Sequence, residues 1–184
     1  MPGYQVDAAA LTNLELFLQD YLNKPGGITI TQRQIPASGK PLLTLDEIVG
    51  IEKQYRLYFT GGNAIAVHVL IADADYYGSS IFALAYWNTS FCIFGKNTFA
   101  SSGGSGQVDR TTLLTALLEH EFGHLLGLID QGSAMQTPHK DPANGAHCDN
   151  QSCLMYYEIE TAASNNVPPF DASCLADLKA NGGR

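Results

Sequence analysis

Residues 120–127 read His-Glu-Phe-Gly-His-Leu-Leu-Gly, and their types and spacing suit metal chemistry. In a helix of about 3.6 residues per turn, His120 and His124 lie on one face and can offer two imidazole nitrogens to one ion. Glu121 adjoins them and could accept a proton from a metal-bound water. Two neutral nitrogen ligands, an open position for water and a nearby carboxylate are typical of catalytic zinc. The segment therefore predicts a zinc hydrolase, and a peptidase in particular.

The residues before and within this segment predict the helix that it needs. Asp109 is of a helix-capping type, and a core-facing side follows it at Leu113, Leu114, Leu117 and Leu118. Gly123 and Gly127 each weaken a helix by up to about 1 kcal/mol relative to alanine, which indicates another use for them. Gly127 can adopt positive φ, end the helix and return the chain toward the ion.

These residues resemble the signature of the metzincin clan of zinc endopeptidases, His-Glu-x-x-His-x-x-Gly. Downstream, Cys153-Leu154-Met155-Tyr156-Tyr157 is similar to the clan's methionine-containing turn, the Met-turn, which lies beneath the metal. The resemblance implies that Met155 is the Met-turn residue and that Glu121 is the general base. Some members carry a tyrosine two residues after the methionine, where it reaches the zinc or the transition state. Tyr157 matches that position and is a second candidate catalytic residue.

The third zinc ligand is open among three residues. Metzincins usually have histidine three residues after the glycine, where this chain has Asp130, as a few small secreted bacterial members do. The segment from His147 to Met155, with its two intervening cysteines, resembles the part of archaemetzincins that joins the third histidine to the Met-turn. His139 lies in the same loop. Because imidazole is the commoner ligand, we favour His147, with Asp130 and His139 as alternatives.

The four cysteines, Cys92, Cys148, Cys153 and Cys174, allow three disulfide pairings. In an oxidising compartment we expect two disulfides, 148 to 153 and 92 to 174. The resemblance to archaemetzincins implies an alternative, a second and structural zinc held by Cys148, Cys153 and Cys174. Asp177 would then stand where that family has a fourth cysteine. Free buried thiols are the third possibility.

Length and composition predict one catalytic domain over residues 1–184. With 184 residues, of which 45% are hydrophobic, the chain can bury a sizeable core by itself. It lacks a run of about 18 apolar residues, so we expect no membrane span. The net charge of −8 argues against nucleic acid as a partner. We expect a monomer that acts on a peptide or protein substrate.

The composition, low in charge and rich in small polar residues, favours a secreted or cell-envelope protein, with the cytoplasm as the alternative. The first residues, Met-Pro-Gly-Tyr, carry no recognisable signal peptide. A secreted form would therefore have a leader that this sequence does not include.

Periodicity predicts an α+β fold with helices at 8–23, 45–59 and 109 onward, and a terminal helix at 171–179. Strands are predicted at 28–35, 64–74, 81–86 and 90–94. This order resembles the metzincin layout, a zincin fold. Its upper subdomain, here 1–127, is a twisted mixed sheet with backing helices that ends in the zinc helix. Its lower subdomain, here 128–184, holds the Met-turn and the terminal helix. The resemblance also implies that an edge strand, here near residues 83–86, binds the substrate as an added strand.

Two other interpretations fit the same motif. In gluzincin-type peptidases the third ligand is a glutamate on a later helix, for which Glu158 or Glu160 could serve, but Gly127 and Met155 then have no role. The other interpretation is a non-catalytic metal- or protein-binding domain on a zincin fold. Glu121 argues against that domain because it is not a ligand and has no evident packing role.

Overall fold

The computed structural model describes residues 1–160 and 165–184 as an α+β chain. Its α-helices are α1 (Ala8–Tyr21), α2 (Leu45–Tyr55), α3 (Gly95–Ala100), α4 (Arg110–Leu125) and α5 (Ala172–Ala180). Its strands are β1 (Leu42–Leu43), β2 (His68–Ala72), β3 (Asp75–Tyr76), β4 (Ala83–Trp87) and β5 (Ser90–Phe94). A short 3-10 helix spans Tyr157–Glu160.

The main sheet has the order β2-β5-β4, with β2 parallel and β4 antiparallel to the central strand β5. A second, two-stranded sheet pairs β1 with β3 in parallel. Successive side chains of a strand point to opposite faces of its sheet. On β5, Phe91 and Ile93 therefore join one buried cluster, while Cys92 and Phe94 join another. The main sheet thus separates two cores.

The helix that carries the histidine pair is held between α1 and the main sheet. Leucines on α4 share the larger core with Leu14 and Phe17 of α1 and with inward residues of β5. Asp109 caps α4 through a hydrogen bond from the Thr112 amide to its side chain, at 3.0 Å. Asp7 caps α1 and also accepts a hydrogen bond from the Thr111 hydroxyl at 3.1 Å. The starts of both helices are therefore tied together, which positions α4 against the sheet.

The predicted α+β class is confirmed, and the four predicted helices and the strands near 64–74, 81–86 and 90–94 are present with shifted ends. The strand predicted at 28–35 is wrong. Ile28 and Ile30 pack against the larger core and Ile35 is buried in the smaller one, so the apolar residues of this segment are buried at two places without pairing to a described strand. In the part of the chain that the structure describes, no helix has the length and apolar character needed to cross a membrane.

Candidate metal centre

Three histidines converge at the end of α4. The Nε2 atoms of His120 and His124 are 3.1 Å apart. The ring of His147 stacks on that of His120 with centroids 5.3 Å apart, and its centroid is 5.2 Å from that of His124. Together with Glu160, these side chains form a group that could hold a metal ion. Of the three candidates for a third ligand, His147 is the one that the structure brings to the pair.

Backbone carbonyls orient two of these imidazoles. His120 Nδ1 lies 2.6 Å from the carbonyl oxygen of Leu154, and His147 Nδ1 lies 2.6 Å from that of Asn144. A carbonyl oxygen can only accept, so each Nδ1 carries a proton, and in the neutral ring each Nε2 has a lone pair available for a metal ion. The Nε2 of His147 is buried and has no hydrogen bond within residues 1–160 and 165–184. This arrangement is typical of histidines that bind metals, whose second nitrogen is held by an outer acceptor.

Glu160 places one carboxylate among the three imidazoles. Its Oε1 is 3.6 Å from the Nε2 of His120, 3.6 Å from that of His124 and 3.2 Å from that of His147. Burial alone would raise the pKa of Glu160, but the facing imidazoles outweigh it and hold that pKa well below its usual range. Burial lowers the pKa of His124 to about 4, so this imidazole is neutral near pH 7, as a metal ligand must be.

Glu121 is a buried carboxyl without a partner. Its residue is fully buried, and neither carboxylate oxygen has a hydrogen bond to any described part of the chain. Burial, and after it the negative charge of Glu160, raise the pKa of Glu121 well above its usual value. Burying an unpaired carboxyl is costly, so its presence next to His120 indicates a functional use.

Gly127 follows the end of α4 as its spacing predicts, yet the turn does not bring Asp130 to the histidines. At φ +82°, Gly127 donates from its amide to the carbonyl of His124 at 2.9 Å. Ile129 and Asp130 follow at φ 56° and 63°. The Asp130 side chain is 62% exposed, and its carboxylate lies 3.8 Å from the Lys140 ammonium.

The segment predicted as the Met-turn lies beneath the histidines. Leu154, whose carbonyl contacts His120, and Met155 are both fully buried. Tyr157 is placed differently from its expected role. Its hydroxyl donates to Glu158 at 3.3 Å in an exposed hydrogen bond, and its ring lies against Tyr156. No contact between Tyr157 and the three histidines is described.

A second group, also able to hold a metal ion, comprises His139, Cys148, Asp171 and Cys174. His139 Nδ1 lies 3.4 Å from the sulfur of Cys148 and 3.9 Å from that of Cys174. Cys153 adjoins this group, with its sulfur 3.6 Å from that of Cys174. The three cysteines are fully buried, and His139 is 5% exposed. The alternative ligand His139 therefore belongs to a different site from His120.

Asp177, predicted as a ligand of a structural zinc, stands behind His139 instead. Its Oδ2 lies 2.8 Å from His139 Nε2, and its Oδ1 accepts from the Gln136 amide at 2.6 Å. The carboxylate therefore orients the imidazole so that Nδ1 faces the thiols. Asp177 therefore contacts the group from outside. His139 faces the thiols, in the place where we expected Asp177.

The predicted disulfides are wrong, because all four cysteines are free. Cys92 lies in the smaller core and Cys174 in the larger one, so the main sheet separates the members of the predicted 92 to 174 pair. Cys148 and Cys153 do lie in one cluster. The sulfur of Cys153 accepts from the amides of Met155 and Asp171, each at 3.4 Å, and the neighbouring thiols lower its pKa to about 4.

A short antiparallel bridge joins the two groups. The amide of Asp141 donates to the carbonyl of His147 at 2.7 Å, and the amide of Asp149 donates to that of His139 at 3.0 Å. Lys140 and Cys148 form the bridge between them. His147 and Cys148 are consecutive residues, and they supply side chains to different groups.

No protein family, no curated protein and no solved structure matches this chain. The resemblance to metzincins therefore rests on the motifs between residues 120 and 157.

Proposed function

We propose that this protein is a zinc-dependent endopeptidase of the metzincin type, with His120, His124 and His147 as the zinc ligands. One observation carries the proposal: the Nε2 atoms of three histidines converge around Glu160, and the buried Glu121 lies near enough to Glu160 for that charge to raise its pKa. Carbonyl acceptors hold two of these imidazoles in the tautomer that a metal requires. The fully buried Met155 and the helix end at Gly127 agree with the same family.

The donor set fits zinc, which binds imidazole nitrogen at about 2.0–2.1 Å and is commonly held by three protein ligands in catalytic sites. Bound there, zinc would supply Lewis acidity toward a peptide carbonyl and make a bound water acidic. Glu121 accepts the proton of that water and passes it to the leaving amine. Burial suits this residue to the task because a carboxylate whose pKa is raised is a stronger base than an exposed one.

The free edge of β4 is the proposed binding site for the peptide. Among the described strands β4 has one neighbour, β5, so its other edge is open to an added antiparallel strand. The strand packs against α4, and the Ala85 backbone lies close enough to Glu121 to affect its pKa. A substrate paired with residues 83–86 would therefore lie beside the proposed general base.

The proposal is tested with Glu121→Gln and, as a matched control, Glu119→Gln on the same helix. Both glutamates are buried, but the negative charge of Glu160 helps to raise the pKa of Glu121, whereas burial is what raises the pKa of Glu119. We expect Glu121→Gln to lose at least a hundredfold in casein cleavage with its zinc content unchanged, while Glu119→Gln keeps both. Zinc binding without Glu121-dependent cleavage would favour a non-catalytic metal-binding domain. A purified protein that binds no zinc would contradict both functions.

We also propose that His139, Cys148, Cys153 and Cys174 hold a second, structural zinc. In a tetrahedral site with metal–sulfur distances near 2.3 Å, sulfur atoms stand about 3.8 Å apart, and sulfur and nitrogen about 3.6 Å apart. The observed 3.6 Å between Cys153 and Cys174, and 3.4 and 3.9 Å from His139 to Cys148 and Cys174, fit these edges. The Asp177 carboxylate supports His139 as outer partners of metal ligands do.

Cys153, and not Asp171, is the proposed fourth ligand of this site. One carboxylate oxygen of Asp171 caps α5 by accepting from the Cys174 amide at 2.9 Å, and the other accepts from Asn150 at 3.0 Å. The Cys153 sulfur accepts two backbone N–H groups, which favours a thiolate. Thiol titration of the native, zinc-loaded protein should detect no reactive thiol, because three thiols would be zinc ligands and Cys92 is fully buried. Titration in denaturant with a chelator should detect four. Cys92→Ser should keep both metals, whereas Cys174→Ser should lose one.

A further inference from the structure

Glu160 completes a tetrahedron with the three histidines. Ligands about 2.0–2.1 Å from a tetrahedral zinc lie about 3.3 Å from one another. The Nε2 atoms of His120 and His124 are 3.1 Å apart, and Glu160 Oε1 lies 3.2 to 3.6 Å from the Nε2 atoms of all three histidines. These separations match the edges of a four-ligand site in which Glu160 supplies the fourth vertex.

The backbone around Glu160 delivers its side chain inward. Glu160 ends the 3-10 helix that follows the Met-turn, and its carbonyl accepts a hydrogen bond from the Phe82 amide at 2.8 Å. Ile159 is buried, whereas Glu158 is exposed. This short helix is therefore attached to the sheet at the residue that precedes β4, and Glu160 extends from that attachment to the histidines.

We infer that Glu160 is a fourth protein ligand, which closes the metal centre in the described conformation and must withdraw before a substrate can be cleaved. This inference rests on the proposed function, because it needs the metal held by the three histidines. Structural zinc sites are filled by four protein ligands, while catalytic sites keep one position open for water. Glu160 therefore acts as an internal cap on the position that a catalytic water needs.

A cap and a catalytic base make opposite predictions for this residue. If Glu160 served as a base or a proton carrier, its removal would abolish cleavage. If it caps the metal, its removal opens a coordination position and raises cleavage. Glu121 already supplies a buried carboxyl next to His120, so the site does not need a second one for proton transfer.

The inference is tested on full-length protein loaded with Co²⁺, comparing Glu160→Ala and Glu160→Gln with Glu158→Ala. Glu158 is the matched control because it is an exposed glutamate on the same 3-10 helix. Visible absorption reports the coordination of Co²⁺, and the thiolate charge-transfer bands of the second site serve as an internal reference. Zinc affinity, acetohydroxamate affinity and casein cleavage are measured on the same samples.

We expect both Glu160 variants to change the visible spectrum, to lose about tenfold or more in zinc affinity and to bind acetohydroxamate about tenfold more tightly. Casein cleavage should rise in both, and Glu158→Ala should match the parent. If metal-loaded Glu160→Gln has the parent's spectrum and affinities, Glu160 does not cap the metal, and the proposed peptidase still stands. A loss of cleavage in the metal-loaded variant would lead to the same conclusion. A parent protein that binds no metal at the histidines would overturn both.

Discussion

Gly123 lies directly against Met155. A Cβ atom added at position 123 would overlap the sulfur of Met155 and would also stand 3.3 Å from a ring carbon of Phe170. Helix α4 and the segment around Met155 therefore approach as closely as they do because position 123 has no side chain. This contact explains why the helix keeps a residue that weakens it.

Gly123→Ala should destabilise the fold by about 1–3 kcal/mol, because the overlap with Met155 outweighs the gain in helix propensity. Gly50→Ala is the matched control. Gly50 lies inside α2, and a Cβ there would meet no atom within 4 Å. That control should be stabilised by up to about 1 kcal/mol. Urea denaturation followed by circular dichroism checks both, and equal effects of the two variants would contradict the packing explanation.

His147→Ala should lose the zinc of the first group and with it casein cleavage. The reason is that His120, His124 and Glu160 without the third imidazole hold zinc more weakly than the complete group, so we expect a loss of at least tenfold in affinity. Asp130→Ala should keep full zinc content, since the Asp130 side chain lies on the surface near Lys140. Metal analysis after dialysis distinguishes the two. Zinc loss in Asp130→Ala with retention in His147→Ala would reverse the assignment.

Glu52→Ala should cost about 3–5 kcal/mol, because it leaves a buried charge on Arg56 without its partner. Glu52 accepts from Arg56 at 2.6 Å, from Ser90 at 2.6 Å and from Tyr86 at 2.7 Å, and the side chains of the ion pair are each 9% exposed. Lys40→Ala, which removes an ion pair at the surface, should change the urea midpoint little. Similar midpoints for both variants would show that the buried network contributes no more than the surface pair.

Glu119 should make the protein less stable as the pH rises from about 4.5 to about 7. Burial raises its pKa to about 7, so the folded state retains a proton that the unfolded state releases. The free energy of unfolding therefore falls across that window and stays lower above it. Glu119→Gln should remove this loss and stabilise the protein at pH 8 by about 1–3 kcal/mol relative to the parent. Denaturation at pH 5 and pH 8 tests this, and parallel curves for the two proteins would contradict it.

The local part of the candidate site could be predicted from the sequence. Helical spacing alone puts His120 and His124 on one face, and the helix between 110 and 125 has the bounds that capping and leucine periodicity indicate. The return of the chain at Gly127 also follows from local rules, because a glycine there can adopt positive φ.

The long-range part could not be predicted in the same way. The bridge between residues 139–141 and 147–149 decides which of Asp130, His139 and His147 faces the histidine pair. No local sequence pattern predicts that bridge. The role of Glu160 depends on its hydrogen bond to Phe82, far away in the chain. Sequence analysis gave His139 only as an alternative ligand of the first group, although its position nine residues before Cys148 was a signal for the cysteine cluster. Its contact with Asp177 depends on the packing of the terminal helix.

Because the consecutive residues His147 and Cys148 serve different groups, the two parts of the loop should differ in how they tolerate changes of length. Between Gly127 and His139 the amide of Ser133 is bonded to Gly127 and that of Gln136 to Asp177, so extra residues can be accommodated between these fixed points. Between His147 and Met155 the amide of Cys148 is bonded to the carbonyl of Met155 and that of Cys153 to the carbonyl of Asn150. One inserted residue would therefore withdraw either an imidazole from the first group or a thiol from the second. Natural length variation in relatives of this chain should therefore fall before residue 139 and be absent from 147–155.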